Sequence, residues 1–235
     1  MKIVGFGDSF MRGNLNQPNY MSILSERISS QYEMYGDAGC GPWNAFFRFL
    51  DYKQKDSIDV VVFAWSEYTR LYHRDNLPLN TATGWHKKSR PTESIMHEEI
   101  YEAAHQYYKH LFDMRKLGYE GKALFHMVDD MTKDYPHVKF IHMHCFAHQT
   151  DTSYPHWDLY KKDTYDHLEY IYTFKNGINI QPALCWLSFN DEMVDDFANE
   201  KRTCHLSNKM HHVLSDTLYT SITSAKNGEI VKVRI

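Results

Sequence analysis

An uninterrupted apolar run at residues 58–65, IDVVVFAW, constrains the fold of this chain more than any other feature. A strand without polar alternation is typical of a parallel sheet that is covered on both faces. Shorter apolar segments at residues 2–6 (KIVGF) and 138–146 (VKFIHMHCF) predict further strands. Between these strands lie segments whose apolar residues recur at helical spacing. The sequence therefore predicts an α/β fold in three layers, α/β/α, with a mostly parallel sheet and right-handed crossovers.

The remaining elements are predicted from apolar spacing and from breakers. Helices are predicted at residues 18–31, 43–54, 93–117 (with Gly118 as its stop) and 121–134, and a last helix follows His205, capped by Ser207 or Asn208. Weaker strands are predicted at residues 32–35 and 229–235, and residues 183–189 form either a strand or a buried helical turn. Polar or aromatic-rich segments at about 71–92 and 147–182 are interpreted as insertions in a single domain over residues 1–235.

Composition narrows the class of function. The net charge is -4 with no basic block, so nucleic acid is not an expected partner. No run of about 18 apolar residues predicts a membrane span. Because the first strand begins at once and no signal peptide precedes it, we expect a cytoplasmic protein. Four cysteines without a CxxC pair indicate reduced thiols rather than a disulfide framework.

Ser9 follows the first predicted strand directly and precedes a helix, in the sequence VGFGDSF. This position exposes a side chain at the carboxyl edge of the sheet, where open α/β folds bind ligands. The start of a helix also offers free backbone N–H groups to a developing negative charge. Ser9 is therefore the candidate nucleophile.

Residues 7–10, Gly-Asp-Ser-Phe, resemble the G-D-S-[LF] block of the SGNH/GDSL hydrolases, which lies at the end of the first strand in that family. The resemblance implies a flavodoxin-like sheet and hydrolysis of an ester through an acyl-enzyme, without metal or organic cofactor. It also implies a histidine base just before the last helix, where C-H-L-S-N places His205.

The residue three positions before His205 is Arg202, where the family has Asp. An acid at that place would orient the imidazole and stabilise its protonated form. Three readings stay open: a backbone carbonyl orients the ring in a Ser-His dyad, an acid from the preceding segment does so, or the site is weak or inactive. The candidate acids are Asp195, Asp196 and Glu200.

The family's oxyanion hole implies three donors: the N–H of Ser9, a glycine N–H after the second strand, and an Asn side chain after the third. The loop DAGCGPWN offers Gly41, with Gly39 as the alternative. Ser66 stands at the Asn position, and its hydroxyl donates one hydrogen bond with shorter reach. Arg70 could add positive charge nearby, but an ordinary surface pair with Glu67 is the simpler expectation.

Other constellations are weaker. The segment HMHCFAH offers His142, His144, Cys145 and His148 as metal ligands. His142 and His144 share one strand face and could form a metal pair, but no downstream partner has suitable spacing, so histidines on an exposed strand face are the simpler expectation. No metal site and no phosphate-binding glycine loop are predicted. Two aromatic groups could form a surface on which a carbohydrate stacks, or could equally pack in the core or loops: Tyr68, Tyr72 and Trp85, and Tyr154, Trp157 and Tyr160. An acetylated carbohydrate is therefore one candidate substrate.

The sequence therefore predicts a serine esterase that hydrolyses a small acyl ester. The alternative is an inactive or weak SGNH-fold module that binds or builds structure, for example glycan binding in a phage or bacterial assembly. The substitutions at Ser66 and Arg202 favour the alternative.

Overall fold

The computed structural model describes residues 1–12, 18–79, 97–145, 172–181, 183, 184, 187 and 206–233. Six parallel strands form one sheet in the order β2-β1-β3-β4-β5-β6. The strands are β1 (Lys2–Gly7), β2 (Gln31–Gly36), β3 (Val60–Trp65), β4 (Lys139–His144), β5 (Ile178–Gln181) and β6 (Ile230–Lys232). Helices α1 (Ser9–Arg12), α2 (Tyr20–Arg27), α3 (Pro42–Asp51), α4 (Glu98–His110), α5 (Met114–Met131) and α6 (Asn208–Ser224) connect them.

The sheet is covered on both faces, as the apolar run of β3 predicts. Val61, Phe63 and Trp65 face the layer that contains α3 and α5. Val60, Val62 and Ala64 face the opposite layer, which contains α2 and α6. All six residues of β3 are buried, so the three-layer α/β/α prediction is confirmed.

Local caps explain where the helices begin. The Asn19 side chain accepts from the N–H groups of Met21 and Ser22, which starts α2 with a capping box. Pro42 occupies the first turn of α3, where its missing N–H costs nothing. Ser207 caps α6 by accepting from the N–H of Met210, which confirms the prediction for the last helix.

The prediction of one helix over residues 93–117 is wrong at its carboxyl end. Helix α4 ends at His110, and α5 begins at Met114, so Gly118 lies inside α5 and stops nothing. The cause is Asp113, whose side chain accepts from the N–H groups of Arg115 and Lys116 and thus starts a new helix.

The segment at 147–182 is not only an insertion, because it contributes β5 at Ile178–Gln181. Residues 146–171 lie outside the described residues, as does most of the predicted element at 183–189. Strand β6, at the edge of the sheet, confirms the predicted edge strand near residue 229. In the segment at 71–92, the described part packs Leu77 and Leu79 against α4 in a small separate cluster.

Within the described ranges, no helix has the length and apolar character that a membrane crossing requires.

Candidate active site

The candidate site lies where the chain changes direction across the sheet. Strand β1 pairs with β2 on one side and with β3 on the other, so the connections that follow β1 and β2 run to opposite sides. A crevice is expected at the carboxyl ends of such strands. Gly7 pairs with Ala64 in register, and Ser9 and Ser66 each lie two residues beyond that pair. The two predicted serines therefore leave neighbouring strands at the same edge.

The nucleophile turn, residues 7–12, is held by Asp8. The Asp8 carbonyl oxygen accepts from the N–H groups of Met11 (3.0 Å) and Arg12 (3.1 Å). Its carboxylate oxygen Oδ1 accepts from the Phe10 N–H (3.0 Å) and from the Cys145 thiol (3.3 Å). Ser9 is the first residue of α1 and is half-buried, so its side chain reaches the surface from a fixed backbone.

Close packing against this turn requires glycine at position 36. A Cβ atom there would lie 2.5 Å from the Asp8 carbonyl oxygen and 2.5 Å from the Arg12 nitrogen. Strand β2 therefore approaches the turn more closely than a side chain would allow.

Arg70 occupies the centre of the site, and the prediction that it lies on the surface is wrong. Its pair with Glu67 exists (3.5 Å), but the Arg70 side chain is only 11% exposed. Its Nη1 donates both to the Asp8 Oδ2 and to the Cys40 carbonyl oxygen, each at 3.3 Å. Burial lowers the pKa of Arg70, but the nearby Glu67 and Asp8 carboxylates raise it by more. The pKa of Arg70 is therefore above its usual value.

The glycine loop, residues 37–41, lies beside Arg70. The Asp37 N–H donates to the Gly7 carbonyl (3.3 Å), and the Cys40 N–H donates to the Asp37 carbonyl (3.1 Å). Gly39 has a positive φ of 82°, which favours glycine. Gly41 is buried, and a Cβ atom there would lie 2.7 Å from the Arg70 carbonyl oxygen. Both glycines thus serve the shape of the loop.

The three donors predicted for an oxyanion hole share one property. Among the described residues, neither the Ser9 N–H nor the Gly41 N–H donates a hydrogen bond to a backbone or side-chain acceptor. The Ser66 hydroxyl is buried and has no hydrogen-bond partner in that part of the chain either. Ser9 is the first residue of α1 and Gly41 is the N-cap of α3, and N–H groups at a helix start have no partner within the helix. These two donors and the Ser66 hydroxyl are therefore open to an acceptor from outside the described residues.

His205 lies outside the described residues, as do Arg202 and the candidate acids Asp195, Asp196 and Glu200. The next residue, Leu206, is buried in the same core cluster as Phe10 and Met11 of the nucleophile turn. The helix that follows is tied to that turn through Tyr20, which donates to Nδ1 of His211 and to the Phe10 carbonyl. These contacts bring the nucleophile turn and the start of α6 to one face of the sheet.

His142 and His144 are buried, and the prediction that they lie on an exposed face is wrong. Strand β4 is an inner strand, and Phe174 covers it by stacking on His142 with ring centroids 3.6 Å apart. The Trp65 indole N–H donates to His142 Nδ1 (3.1 Å), and His144 Nε2 contacts the Tyr172 carbonyl oxygen (3.1 Å). No group of three or more metal-ligating residues occurs within the described ranges.

The same burial sets the protonation of this histidine pair. Burial, and after it the neighbouring His144, lowers the pKa of His142 well below its usual value. Burial lowers the pKa of His144 to about 4, although the Tyr172 carbonyl acts in the opposite direction. Both imidazoles are therefore neutral structural groups at neutral pH.

Sequence reasoning missed the role of Asp8 and the thiol of Cys145. A signal was present: Asp8 and Arg70 carry opposite charges and each follows a predicted strand that ends at the same edge. Of the aromatic groups, Tyr72 is exposed and packs on Phe47 with ring centroids 4.8 Å apart. Trp85, Tyr154, Trp157 and Tyr160 lie outside the described residues.

Comparison with known proteins adds one distant likeness. No protein-family model and no curated protein matches the sequence. Among solved structures, the chain is similar to the crystal structure of an acetyl xylan esterase, at 15% sequence identity and a TM-score of 0.48. The alignment covers 94% of this chain and 99% of the other. A likeness this distant carries no argument about chemistry, and the α/β/α fold rests on the sheet topology itself.

Proposed function

We propose that this protein is a serine hydrolase that acts on ester bonds, with Ser9 as nucleophile and His205 as general base. One observation carries the proposal: the Ser9 N–H, the Gly41 N–H and the Ser66 hydroxyl donate to no described acceptor. They follow three strands that end at one edge, β1, β2 and β3. Donors prepared for developing negative charge are the largest single contribution in many acyl-transfer enzymes.

The proposed reaction has two halves. Ser9 Oγ attacks the acyl carbonyl carbon while His205 takes the hydroxyl proton, and the carbonyl oxygen becomes an anion that the three donors bind. Collapse of the intermediate breaks the ester bond, and His205 returns the proton to the leaving alcohol. Water then attacks the acyl-enzyme with His205 as base, which releases the carboxylic acid and restores Ser9.

The glycine donor has two candidates. Gly41 is the choice that the unused N–H supports, while the positive φ of Gly39 is explained by the turn alone. We propose that His205 is oriented either by an acid, Asp195, Asp196 or Glu200, or by a backbone carbonyl. No step of this reaction needs a metal or an organic cofactor.

A small acyl ester is the proposed substrate class, with an acetylated carbohydrate as the leading candidate. Supporting this choice, the exposed Tyr72 ring lies on the loop that follows Arg70, and it packs on Phe47 of α3. An exposed aromatic ring offers an apolar face on which a sugar ring can lie.

Labelling with a fluorophosphonate probe tests the proposal directly. Folded wild type is expected to form one covalent adduct, and Ser9→Ala is expected to form none. Ser57→Ala is the matched control, because the Ser57 hydroxyl only donates to the Gln54 carbonyl on the surface and its loss leaves labelling intact. Folded wild type that takes no label would favour the non-catalytic, glycan-binding module instead.

A further inference from the structure

Arg70 joins three segments that the proposed reaction uses. Its Nη1 donates to the Asp8 carboxylate of the nucleophile turn and to the Cys40 carbonyl of the glycine loop. Its own backbone lies in the segment after β3 that begins with Ser66, and its Nε pairs with Glu67 there. One guanidinium group therefore connects the loops after β1, β2 and β3.

The hydrogen bond from Arg70 to the Cys40 carbonyl affects the Gly41 N–H, which is one of the predicted oxyanion donors. The Cys40 carbonyl and the Gly41 N–H belong to the same peptide unit, which is planar and trans. Fixing the carbonyl oxygen therefore fixes the direction of the N–H, which points the opposite way. A cationic donor on the carbonyl also polarises the peptide, which strengthens its N–H as a donor.

The peptide unit that carries the Ser9 N–H is held in a similar way. The Asp8 carbonyl shares its peptide unit with the Ser9 N–H and is held by the N–H groups of Met11 and Arg12. The Asp8 carboxylate, in turn, is held by Arg70. Both predicted backbone donors are thus oriented by contacts on the far side of their peptide units. Arg70 makes that contact directly at the Cys40 carbonyl, whereas at the nucleophile turn it acts through the Asp8 side chain.

We propose that Arg70 is a positioning residue, which holds the Gly41 N–H and the nucleophile turn in the one arrangement that binds the oxyanion. This inference rests on the proposed hydrolase function. It assigns Arg70 no contact with substrate. The positive charge acts through the Cys40–Gly41 peptide and through Asp8.

The test measures hydrolysis of p-nitrophenyl acetate, with active sites counted by fluorophosphonate titration. In Arg70→Ala, kcat per titrated site is expected to fall about 10- to 100-fold with little change in KM. This decrease is smaller than the decrease in kcat caused by removing an oxyanion donor itself, because Arg70 acts only through other groups. Guanidinium chloride at low concentration is expected to restore part of the rate, and sodium chloride at equal ionic strength is not.

Arg48→Ala is the matched control. It also breaks an ion pair to the glycine loop, with Asp37 (2.6 Å), but Arg48 donates to neither the Cys40 carbonyl nor Asp8. It is expected to keep kcat per site and to show no rescue. If Arg70→Ala does not fold, Arg70→Lys replaces it, and an intermediate kcat is expected because an ammonium group is a poorer match for two acceptors.

The outcomes separate the two proposals. An active wild type whose Arg70 variants lose titratable sites but keep kcat per site would overturn the positioning role and leave the hydrolase intact. A folded wild type that neither hydrolyses esters nor takes the label would overturn the hydrolase function, and the positioning role would fall with it.

Discussion

The backbone N–H of Tyr20 donates to Nδ1 of His211 at 3.3 Å, across 191 positions of the chain. The two rings also stack, with centroids 5.8 Å apart. The Tyr20 hydroxyl donates to the Phe10 carbonyl at 3.0 Å. A single tyrosine thus connects the start of α6 with the turn that carries Ser9.

Tyr20→Phe tests the strength of this connection. The variant removes the hydrogen bond to the Phe10 carbonyl but keeps the ring, so we expect a loss of about 1–2 kcal/mol in the free energy of unfolding. Urea denaturation measures it. Tyr32→Phe, on the exposed edge strand β2, is the control and should change little. Equal stability of both variants would show that the Tyr20 hydroxyl contributes nothing.

Ser66→Ala should separate activity from stability. If the Ser66 hydroxyl binds the oxyanion, kcat falls about 100- to 1,000-fold. The free energy of unfolding should stay equal or rise by about 1 kcal/mol, because a buried hydroxyl without a described partner is removed.

Ser215→Ala is the matched control for this effect. The Ser215 hydroxyl is also buried and has no hydrogen-bond partner among the described residues, but it lies within α6. The same stability change with unchanged kcat is expected. If the two variants have the same kcat, Ser66 is not part of the oxyanion hole.

Asp8→Asn should destabilise the fold strongly. The Asp8 carboxylate is buried and pairs with the nearly buried Arg70, and removing one partner of such a pair costs about 3 kcal/mol. Asp216→Asn, which breaks the exposed pair with Arg27, should cost less than about 1 kcal/mol. Similar urea midpoints for the two variants would contradict a structural role for the buried pair.

Acid should destabilise the protein through its buried histidines. The pKa of His144 falls from 6.5 to about 4 on folding, so the unfolded chain binds the proton first. The stabilisation is complete above pH 6.5 and is lost as the pH falls from there to about 4, by about 3 kcal/mol for this group. The pKa of His142 is also lowered on folding, so this histidine adds to the loss of stability in acid.

His144→Gln should reduce the slope of unfolding free energy against pH by one proton within that window. Urea denaturation at several pH values measures the slope. An unchanged slope in His144→Gln would show that this imidazole does not titrate with unfolding.

The sheet and its covering helices were predictable because their signals are local. The apolar run of β3 and the Ser207 cap act within a few residues, and the structure has both where the sequence places them. The break at Asp113 was missed because a cap inside a periodic apolar pattern leaves the period intact. Strand β5 was missed because only four residues form it.

The candidate site was only partly predictable. Ser9, Gly41 and Ser66 were chosen from the family resemblance together with their places after three strands, and their roles stay predictions. The burial of Arg70 does not, because it depends on contacts with Asp8 and Cys40, which lie 62 and 30 positions away. The burial of His142 likewise depends on Phe174, which arrives from a distant segment.

The shared face of α2 and α6 has a consequence for the order of events during synthesis. About 190 residues must be synthesised between Tyr20 and His211 before the two can meet. Until then a nascent chain lacks the contacts that tie α6 to the nucleophile turn. The proposed activity, which needs that arrangement, would therefore arise only after α6 has been made and has docked.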